Sequence, residues 1–230
     1  MRELLYDSVF FGVLISILTY EFGSLLKKKF KLAVFNPLLI SIIAVMAILS
    51  VFRVDYETYY DGAKYLSYLL TPATVCLAVP LYEQIELLKK HFRAITGGIL
   101  AGVLTSLLSI LAFAWIFRFS HEQYVTLLPK SITTAIGMGV SEELGGMVTI
   151  TVAVIIITGV FGNMVAETVC RLFRIEEPIA KGIGIGSASH AIGTAKAMEL
   201  GEVEGAMSSL SIAVAGLLTV AGASVFANFI

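Results

Sequence analysis

Two short polar stretches interrupt a chain that is otherwise strongly apolar. Residues 130–134 read KSITT, and residues 187–194 read SASHAIGT. Hydroxyls, an ammonium group and an imidazole suit a small anion, which also binds well at the N–H groups that begin a helix. The candidate substrate-binding residues are Ser131, Thr133, Thr134, Ser187, Ser189, His190 and Thr194, together with Thr74 from a third interrupted segment.

Each of these residue types also has an ordinary structural role. A single Ser or Thr can donate to a carbonyl of its own helix, and small residues allow close helix packing. A histidine at membrane depth is functional by default, so His190 is expected to donate to a carboxylate or carry a coupling proton, with a hydrogen-bonded structural histidine as the alternative. Glu143, Glu199 and Lys196 are candidates for proton relay or hairpin support, or they face water.

Composition places the chain in the membrane class. Of its 230 residues, 57% are hydrophobic and 14% are charged, against about 25% charged in a soluble domain. A net charge of −1 argues against a nucleic-acid partner. Cys76 and Cys170 form no metal-ligand pattern, so we predict neither a metal nor a cofactor.

The apolar runs predict an all-α polytopic membrane protein with about six spanning helices and two re-entrant or broken helical hairpins. A spanning helix needs about 20 apolar residues. Five runs qualify: Leu4–Leu26, Leu32–Phe52, Ala94–Phe117, Met147–Ala166 and Gly205–Ile230. A sixth, Tyr65–Tyr82, is long enough but is broken by Pro72 and Pro80, and the hairpins are predicted at Leu127–Gly146 and Gly182–Glu202.

Basic residues predict the orientation of these spans. They cluster at residues 27–31, 89–93 and 171–181, and such clusters lie on the cytoplasmic side. This placement is satisfied only if Leu127–Gly146 enters and leaves on the outer side without crossing. We expect one integral domain over residues 1–230 in the bacterial cytoplasmic membrane: N-terminal spans over 5–118, then a hairpin and span over 127–173, and another over 182–230.

The two hairpin candidates resemble each other. Residues 133–145 read TTAIGMGVSEELG and residues 189–201 read SHAIGTAKAMELG, so six of thirteen positions match at an offset of 56. An apolar span follows each of them. If neither hairpin crosses the membrane, the two units have opposite orientations, which is typical of secondary transporters with inverted repeats.

These stretches also carry a family resemblance. The segments SITTAIGMGVSEELGG, GSASHAIGTAKAMELGEVEG and TPATVCLAVPLYEQ resemble those of the LrgB/CidB family, although Ala135 stands where that family often has proline. Bacterial members are called antiholin-like proteins or murein-hydrolase regulators, and the plastid relative exchanges glycolate and glycerate. The resemblance implies a transporter of small carboxylates such as pyruvate, glycolate or glycerate, with an LrgA-type membrane protein as a partner.

Three functions are compatible with the residues. The first is a secondary transporter of small monocarboxylates, proton-coupled, homo-oligomeric and moving by an elevator or rocking mechanism. The second is a holin-like or antiholin-like protein that regulates murein hydrolases and lysis. The third, an intramembrane hydrolase using Ser187 or Ser189 with His190, is disfavoured because adjacent side chains diverge on a helix and no nucleophile elbow is present. We therefore predict that the protein is not an enzyme.

Overall fold

Helices account for every regular element in the described part of the chain, which covers residues 10–30, 35–76 and 78–230 of a computed structural model. The first six helices are α1 (Phe11–Phe30), α2 (Pro37–Phe52), α3 (Tyr56–Ser67), α4 (Leu70–Cys76), α5 (Ala78–Glu83) and α6 (Ile85–Lys90). The next six are α7 (Phe92–Phe117), α8 (His121–Leu127), α9 (Thr134–Glu143), α10 (Val148–Leu172), α11 (Pro178–Leu200) and α12 (Glu202–Phe226). The predicted all-helical class is confirmed for these residues.

The chain divides into two compact units, Met1–Cys76 and Leu77–Ile230. In the first unit, α1 packs against both α2 and α3. The hydroxyls of Thr19 and Ser41 meet at 2.9 Å between α1 and α2, where both residues are buried. Hydroxyl pairs of this kind hold apolar helices together where burial alone supplies little attraction.

The first two predicted spans overlap α1 and α2 where the structure describes them, and α2 is an apolar helix of 16 residues, shorter than a full span. The starts of Leu4–Leu26 and Leu32–Phe52 fall on residues 1–9 and 31–34, which lie outside the described residues. Asn36 caps α2 by accepting from the backbone N–H of Leu38 at 2.9 Å, and Pro37 takes the first helical position. Proline is favoured there because that N–H has no helical partner.

The predicted broken segment Tyr65–Tyr82 is divided among three helices. The end of α3 at Ser67 is followed by the short helices α4 and α5. Pro72 and Pro80 each stand third in their helix. A proline is tolerated in the first turn but not in a helix interior, so the two prolines explain why no continuous helix runs through this segment.

Three helices of the second unit are long and apolar enough to cross a membrane. They are α7, α10 and α12 with its terminal 3-10 turn, 26, 25 and 28 residues long. One face of α7 is buried at Ile95, Ile99 and Val103, whereas Leu104 and Leu108 are exposed. This division is typical of a helix that contacts protein on one side and lipid on the other.

Hairpin 1, formed by α8, a turn and α9, begins and ends at the N-terminal end of α10. The Thr126 hydroxyl near the end of α8 accepts from the backbone N–H of Met147 at 2.8 Å. The Thr151 hydroxyl of α10 lies 2.9 Å from the Thr126 carbonyl oxygen and 2.7 Å from the Ser141 hydroxyl of α9. These three buried residues tie both arms of hairpin 1 to the same end of α10.

Hairpin 2 is formed by α11, whose helical backbone is interrupted at His190. The arm after the break folds back on the arm before it, because Ile185 and Ala197 share one buried apolar cluster. Its base lies at the C-terminal end of α10, where Lys196 Nζ is 3.3 Å from a carboxylate oxygen of Glu167. Hairpins 1 and 2 therefore approach α10 from its opposite ends.

Candidate functional site

The tips of the two hairpins meet the middle of α7. In hairpin 1, the Ser106 hydroxyl of α7 donates to the Ser131 hydroxyl at 3.1 Å. In hairpin 2, Ser187 lies against Gly102, where an added Cβ would come within 2.6 Å of the Ser187 Oγ. Gly102 and Ser106 are one helical turn apart. The structure thus brings the two predicted polar stretches to one level of the second unit.

His190 forms the turn of hairpin 2. Its φ of 42° and ψ of −144° lie far from helical values. The ring is buried, and Nε2 donates to the carbonyl oxygen of Ile155 in α10 at 2.9 Å. Gly159 leaves room for it, since a Cβ there would lie 2.6 Å from the His190 Cε1. Because Nε2 carries a proton, the neutral ring can only accept at Nδ1.

Ser187 and Thr194, two other predicted substrate-binding residues, form hydrogen bonds to other groups of the protein through their hydroxyls. Ser187 is buried, and its hydroxyl donates to the Ile183 carbonyl at 2.7 Å. Thr194 donates to the His190 carbonyl at 3.0 Å and meets the Ser208 hydroxyl of α12 at 2.7 Å. These bonds stabilise hairpin 2 and occupy the donors that an anion would need.

A cavity of about 360 Å³ lies between α10 and hairpin 2 and reaches the tip of hairpin 1. Its polar lining comes from Lys130, Thr158, Lys181 and Ser189. Apolar and small residues complete it: Phe161, Gly162, Val165, Ala166, Val169, Cys170, Ile175, Ala180, Gly184, Ile185 and Ala188. A volume of this size holds a small organic molecule with several waters.

Lys130 is the cation that the tip of hairpin 1 contributes to the lining of this cavity. Its Nζ donates to the Ser131 hydroxyl at 2.8 Å, and the residue is half-buried. Among the described residues, no carboxylate lies within ion-pair distance of this ammonium group. A partly desolvated cation without a counter-ion attracts an anion strongly, because the local dielectric is lower than that of water.

The second arm of hairpin 1 begins beside this lysine. Thr133 stands at the N-cap of α9, and its side chain makes no capping bond. Thr134 is the first helical residue, and both threonines are half-buried. The N–H groups of this first turn have no helical partner and carry the positive end of the helix dipole. Hairpin 1 therefore places Lys130 and a helix start at one tip.

The charged candidates lie toward the hairpin ends. Glu143 is the last residue of α9 and is exposed. Glu199 is also exposed, and its carboxylate is 3.2 Å from Lys196 Nζ. Since Lys196 also pairs with Glu167 of α10, it links the second arm of hairpin 2 to that helix. Lys196 and Glu199 therefore contact each other near the base of hairpin 2, whereas a role for Glu143 stays a prediction.

Thr74 belongs to the first unit. The structure places it in α4, while its side chain lies outside the described part. A contact between Thr74 and a substrate stays a prediction from the sequence alone.

Sequence reasoning missed the wall of the cavity that α10 provides. Thr158 and Gly162 lie in a long apolar helix, where Thr158 and Asn163 are single polar residues and form no cluster like those of the hairpins. Glycine at 159 and 162 is a signal that the sequence does carry, since small residues three apart mark a face that another helix approaches closely, and Asn163 beside them donates to the Ile192 carbonyl of hairpin 2. A Cβ at either position would collide with His190 or Ser189 of hairpin 2.

Together these features define a helical membrane protein in which two hairpins place polar tips beside the middle of a long apolar helix. The model of the LrgB-like family matches residues 16–229. The chain therefore belongs to the LrgB-like family, as its sequence segments indicated. No solved structure matches the chain.

Proposed function

We propose that this protein is a secondary transporter of small monocarboxylates such as pyruvate, glycolate or glycerate. The observation that carries the proposal is Lys130, a half-buried residue with no carboxylate partner among the described residues, which lines the cavity between α10 and hairpin 2. A cation inside an apolar membrane protein is costly, so its retention indicates a task.

The lining of the cavity supports a small anion with a single charge. Lys130 supplies one positive charge to the lining, the Ser131 hydroxyl lies beside it, and Ser189 also lines the cavity. The rest of the wall is mainly apolar, which suits a two- or three-carbon skeleton. Lys181, the second cation of the lining, lies 3.9 Å from the Glu204 carboxylate, so a second carboxylate on the substrate would have to compete with Glu204 for it or lose its hydration unpaired.

In this proposal, Lys130, Ser131 and Ser189 contact the substrate carboxylate, and the start of α9 at Thr134 adds its N–H groups. His190 acts by holding the tip of hairpin 2 against Ile155, and a coupling proton on its ring remains a prediction. The proposed mode of movement is a shift of the hairpins against the long helices, which gives alternating access to the cavity.

We infer an inverted repeat from the way the hairpins attach. The matched segments 133–145 and 189–201 cover the second arms of hairpins 1 and 2, and each arm is followed by a long apolar helix. Hairpin 1 is tied to the N-terminal end of α10 and hairpin 2 to its C-terminal end. With the basic residues near hairpin 2 inside, this supports a multi-pass protein of a bacterial cytoplasmic membrane.

Uptake into proteoliposomes tests the proposal. Purified protein is reconstituted, and the entry of radiolabelled pyruvate, glycolate and glycerate is followed with and without an inward proton gradient. We expect saturable uptake, and Lys130→Gln is expected to reduce it at least about tenfold, as the loss of one charge-assisted contact implies. Lys90→Gln, at the exposed end of α6, is the matched control and should transport normally.

The same vesicles separate transport from the antiholin-like alternative, which membership of the family leaves open. A lysis regulator that forms pores would release an entrapped fluorescent dye and would not need Lys130. Dye release that is equal in the wild type and in Lys130→Gln, without saturable uptake of any of the three acids, would refute the transporter. The homo-oligomer and the LrgA-type partner stay predictions to be examined by co-purification.

A further inference from the structure

A second cavity adjoins the first one toward the base of hairpin 2. It measures about 300 Å³ and is lined by Glu167, Cys170, Arg171, Arg174, Ile175, Glu176, Lys181 and Leu200. Three of these residues, Cys170, Ile175 and Lys181, also line the first cavity. The two cavities therefore adjoin at these residues and follow one another from the base of hairpin 2 toward Lys130.

Basic side chains mark this route from its mouth to its end. At the mouth, Arg171 is 79% exposed at its side chain and pairs with Glu167, and Arg174 is exposed as well. At the junction, the Lys181 side chain is 26% exposed and lies 3.9 Å from Glu204. With Lys130 included, four positive and two negative side chains line the two cavities, and Glu204 beside Lys181 reduces the positive excess to one.

We propose that these two cavities form the access path by which an anion reaches Lys130 from the side of the membrane that bears Arg171, Arg174 and Lys181. The identity of the transported anion rests on the proposed function, whereas the existence of the path can be tested separately. A channel lined by one excess sign of charge raises the local concentration of the opposite ion. The structure is then the state in which the central cavity opens toward the base of hairpin 2.

Cys170 is a natural reporter of this path, because it lies at the junction and is half-buried. In a Cys76→Ser background it is the one remaining thiol. Right-side-out and inside-out vesicles are treated with two membrane-impermeant methanethiosulfonates, one bearing a sulfonate and one bearing a trimethylammonium group. Labelling is then measured by the loss of later reaction with a fluorescent maleimide.

We expect Cys170 to react in inside-out vesicles only and to react faster with the sulfonate reagent. Lys181→Gln should reduce that preference about threefold, since it removes the charge at the junction. Lys90→Gln, on an exposed helix end away from both cavities, should leave the preference unchanged. Saturating pyruvate should slow the labelling of the parent protein.

Two results would overturn the path. In the first, Cys170 reacts with membrane-permeant N-ethylmaleimide but with neither charged reagent, which places the thiol against lipid or packed protein. In the second, Cys170 labels equally from both sides or without regard to reagent charge. Failure of the proposed function gives a different result from failure of the path. If the vesicles take up none of the three acids but Cys170 is labelled as expected, the path exists and serves another anion. If uptake is normal but Cys170 does not react, the proposed path is wrong and the transport function stands.

Discussion

His190 has two roles that can be separated by substitution. Its backbone adopts a positive φ of 42°, and its ring nitrogen holds the carbonyl of Ile155 in a neighbouring helix. Positive φ costs a residue with a Cβ about 1–2 kcal/mol, whereas glycine adopts it freely. A histidine at this turn is therefore stable because its side chain makes the bond to α10.

Replacing His190 with glycine or with alanine separates these contributions. Both variants lose the bond to Ile155, but only alanine keeps the backbone penalty at the turn. We expect His190→Gly to be more stable than His190→Ala by about 1 kcal/mol. Thermal unfolding in detergent, followed by intrinsic fluorescence or by aggregation, measures the difference.

The same pair of variants examines the imidazole in transport. If the ring only positions the tip, His190→Gly retains uptake of small carboxylates within several-fold of the wild type and keeps the same dependence on pH. Loss of uptake in a correctly folded His190→Gly protein, with wild-type uptake in Lys130→Gln, would reverse the two assignments made above.

The polar residues of the site were predictable as a group, but their individual roles were not. Clusters of hydroxyls around 131–134 and 187–194 identified both hairpin tips. Which hydroxyl faces the cavity depends on the rotation of each arm, and this rotation is set by contacts with α7 and α10. Ser187 and Ser189 thus differ in role: Ser187 donates to its own helix, and Ser189 lines the cavity.

At the level of elements, hairpin 2 packs closely against two long helices at positions where those helices have glycine. Gly102 of α7 faces Ser187, and Gly159 and Gly162 of α10 face His190 and Ser189. A methyl group at any of these positions would overlap a hairpin side chain. The depth of the hairpin tip is therefore set by three small residues.

A methyl group added at Gly102 should displace hairpin 2. The new Cβ would lie 2.6 Å from the Ser187 Oγ, closer than packing allows. We expect Gly102→Ala to lower the free energy of unfolding by about 1–3 kcal/mol, a typical cost of overpacking. Gly97→Ala in the same helix is the matched control, because nothing lies within 4 Å of its Cβ. It should be neutral or stabilising, since alanine favours helices.

Thermal unfolding of both variants decides this point. The second substitution Ser187→Gly in the Gly102→Ala background removes the overlapping side chain and should recover most of the loss. Equal stability of Gly97→Ala and Gly102→Ala would contradict the close contact between α7 and hairpin 2.

The base of hairpin 2 is held by ion pairs. Lys196 lies between Glu167 of α10 and Glu199 of its own arm, at 3.3 and 3.2 Å, and its side chain is 15% exposed. The Glu167 side chain is half-exposed, so solvent screens the pair and its contribution is modest. Such a contact can hold the second arm against α10 without preventing its movement.

A double-mutant cycle on Lys196 and Glu167 measures this contact. We expect Lys196→Gln and Glu167→Gln each to destabilise the protein slightly, with a coupling energy of about 0.5–1 kcal/mol. The exchange Lys196→Glu with Glu167→Lys should recover part of the loss relative to either reversal alone. Additive effects of the two single substitutions would show that the pair does not hold the hairpin.

Elements were predicted well where a local signal exists. Proline, glycine and hydroxyl clusters located both hairpins, and Pro72 and Pro80 located the interrupted segment. The turning residue of hairpin 2 was not predictable. Glycine is the usual residue at positive φ, and Gly186 and Gly193 lie nearby, yet the chain turns at His190 because Ile155 binds its ring. The sequence around His190 does not reveal such a contact, because the partner lies 35 residues away in another helix.

At the scale of the molecule, the attachment of the two hairpins to opposite ends of α10 organises the second unit. The tips reach α7 one helical turn apart, so each hairpin covers about half the length of the long helices. A substrate between the tips would then be separated from each side of the membrane by one hairpin. In the proposed transporter, movement of either hairpin would open the cavity to its own side, which is the requirement of alternating access.

This arrangement predicts that matching positions of the repeat face opposite sides of the membrane. Glu143 and Glu199 are separated by the repeat offset of 56 and are both exposed near the end of a second arm. In a protein lacking Cys76 and Cys170, we expect Glu143→Cys to react with an impermeant maleimide in right-side-out vesicles and Glu199→Cys in inside-out vesicles. Uptake by each variant serves as the control for folding. Labelling of both thiols from one side would mean that a predicted hairpin crosses the membrane, and the inverted repeat would then be wrong even if the transport activity were real.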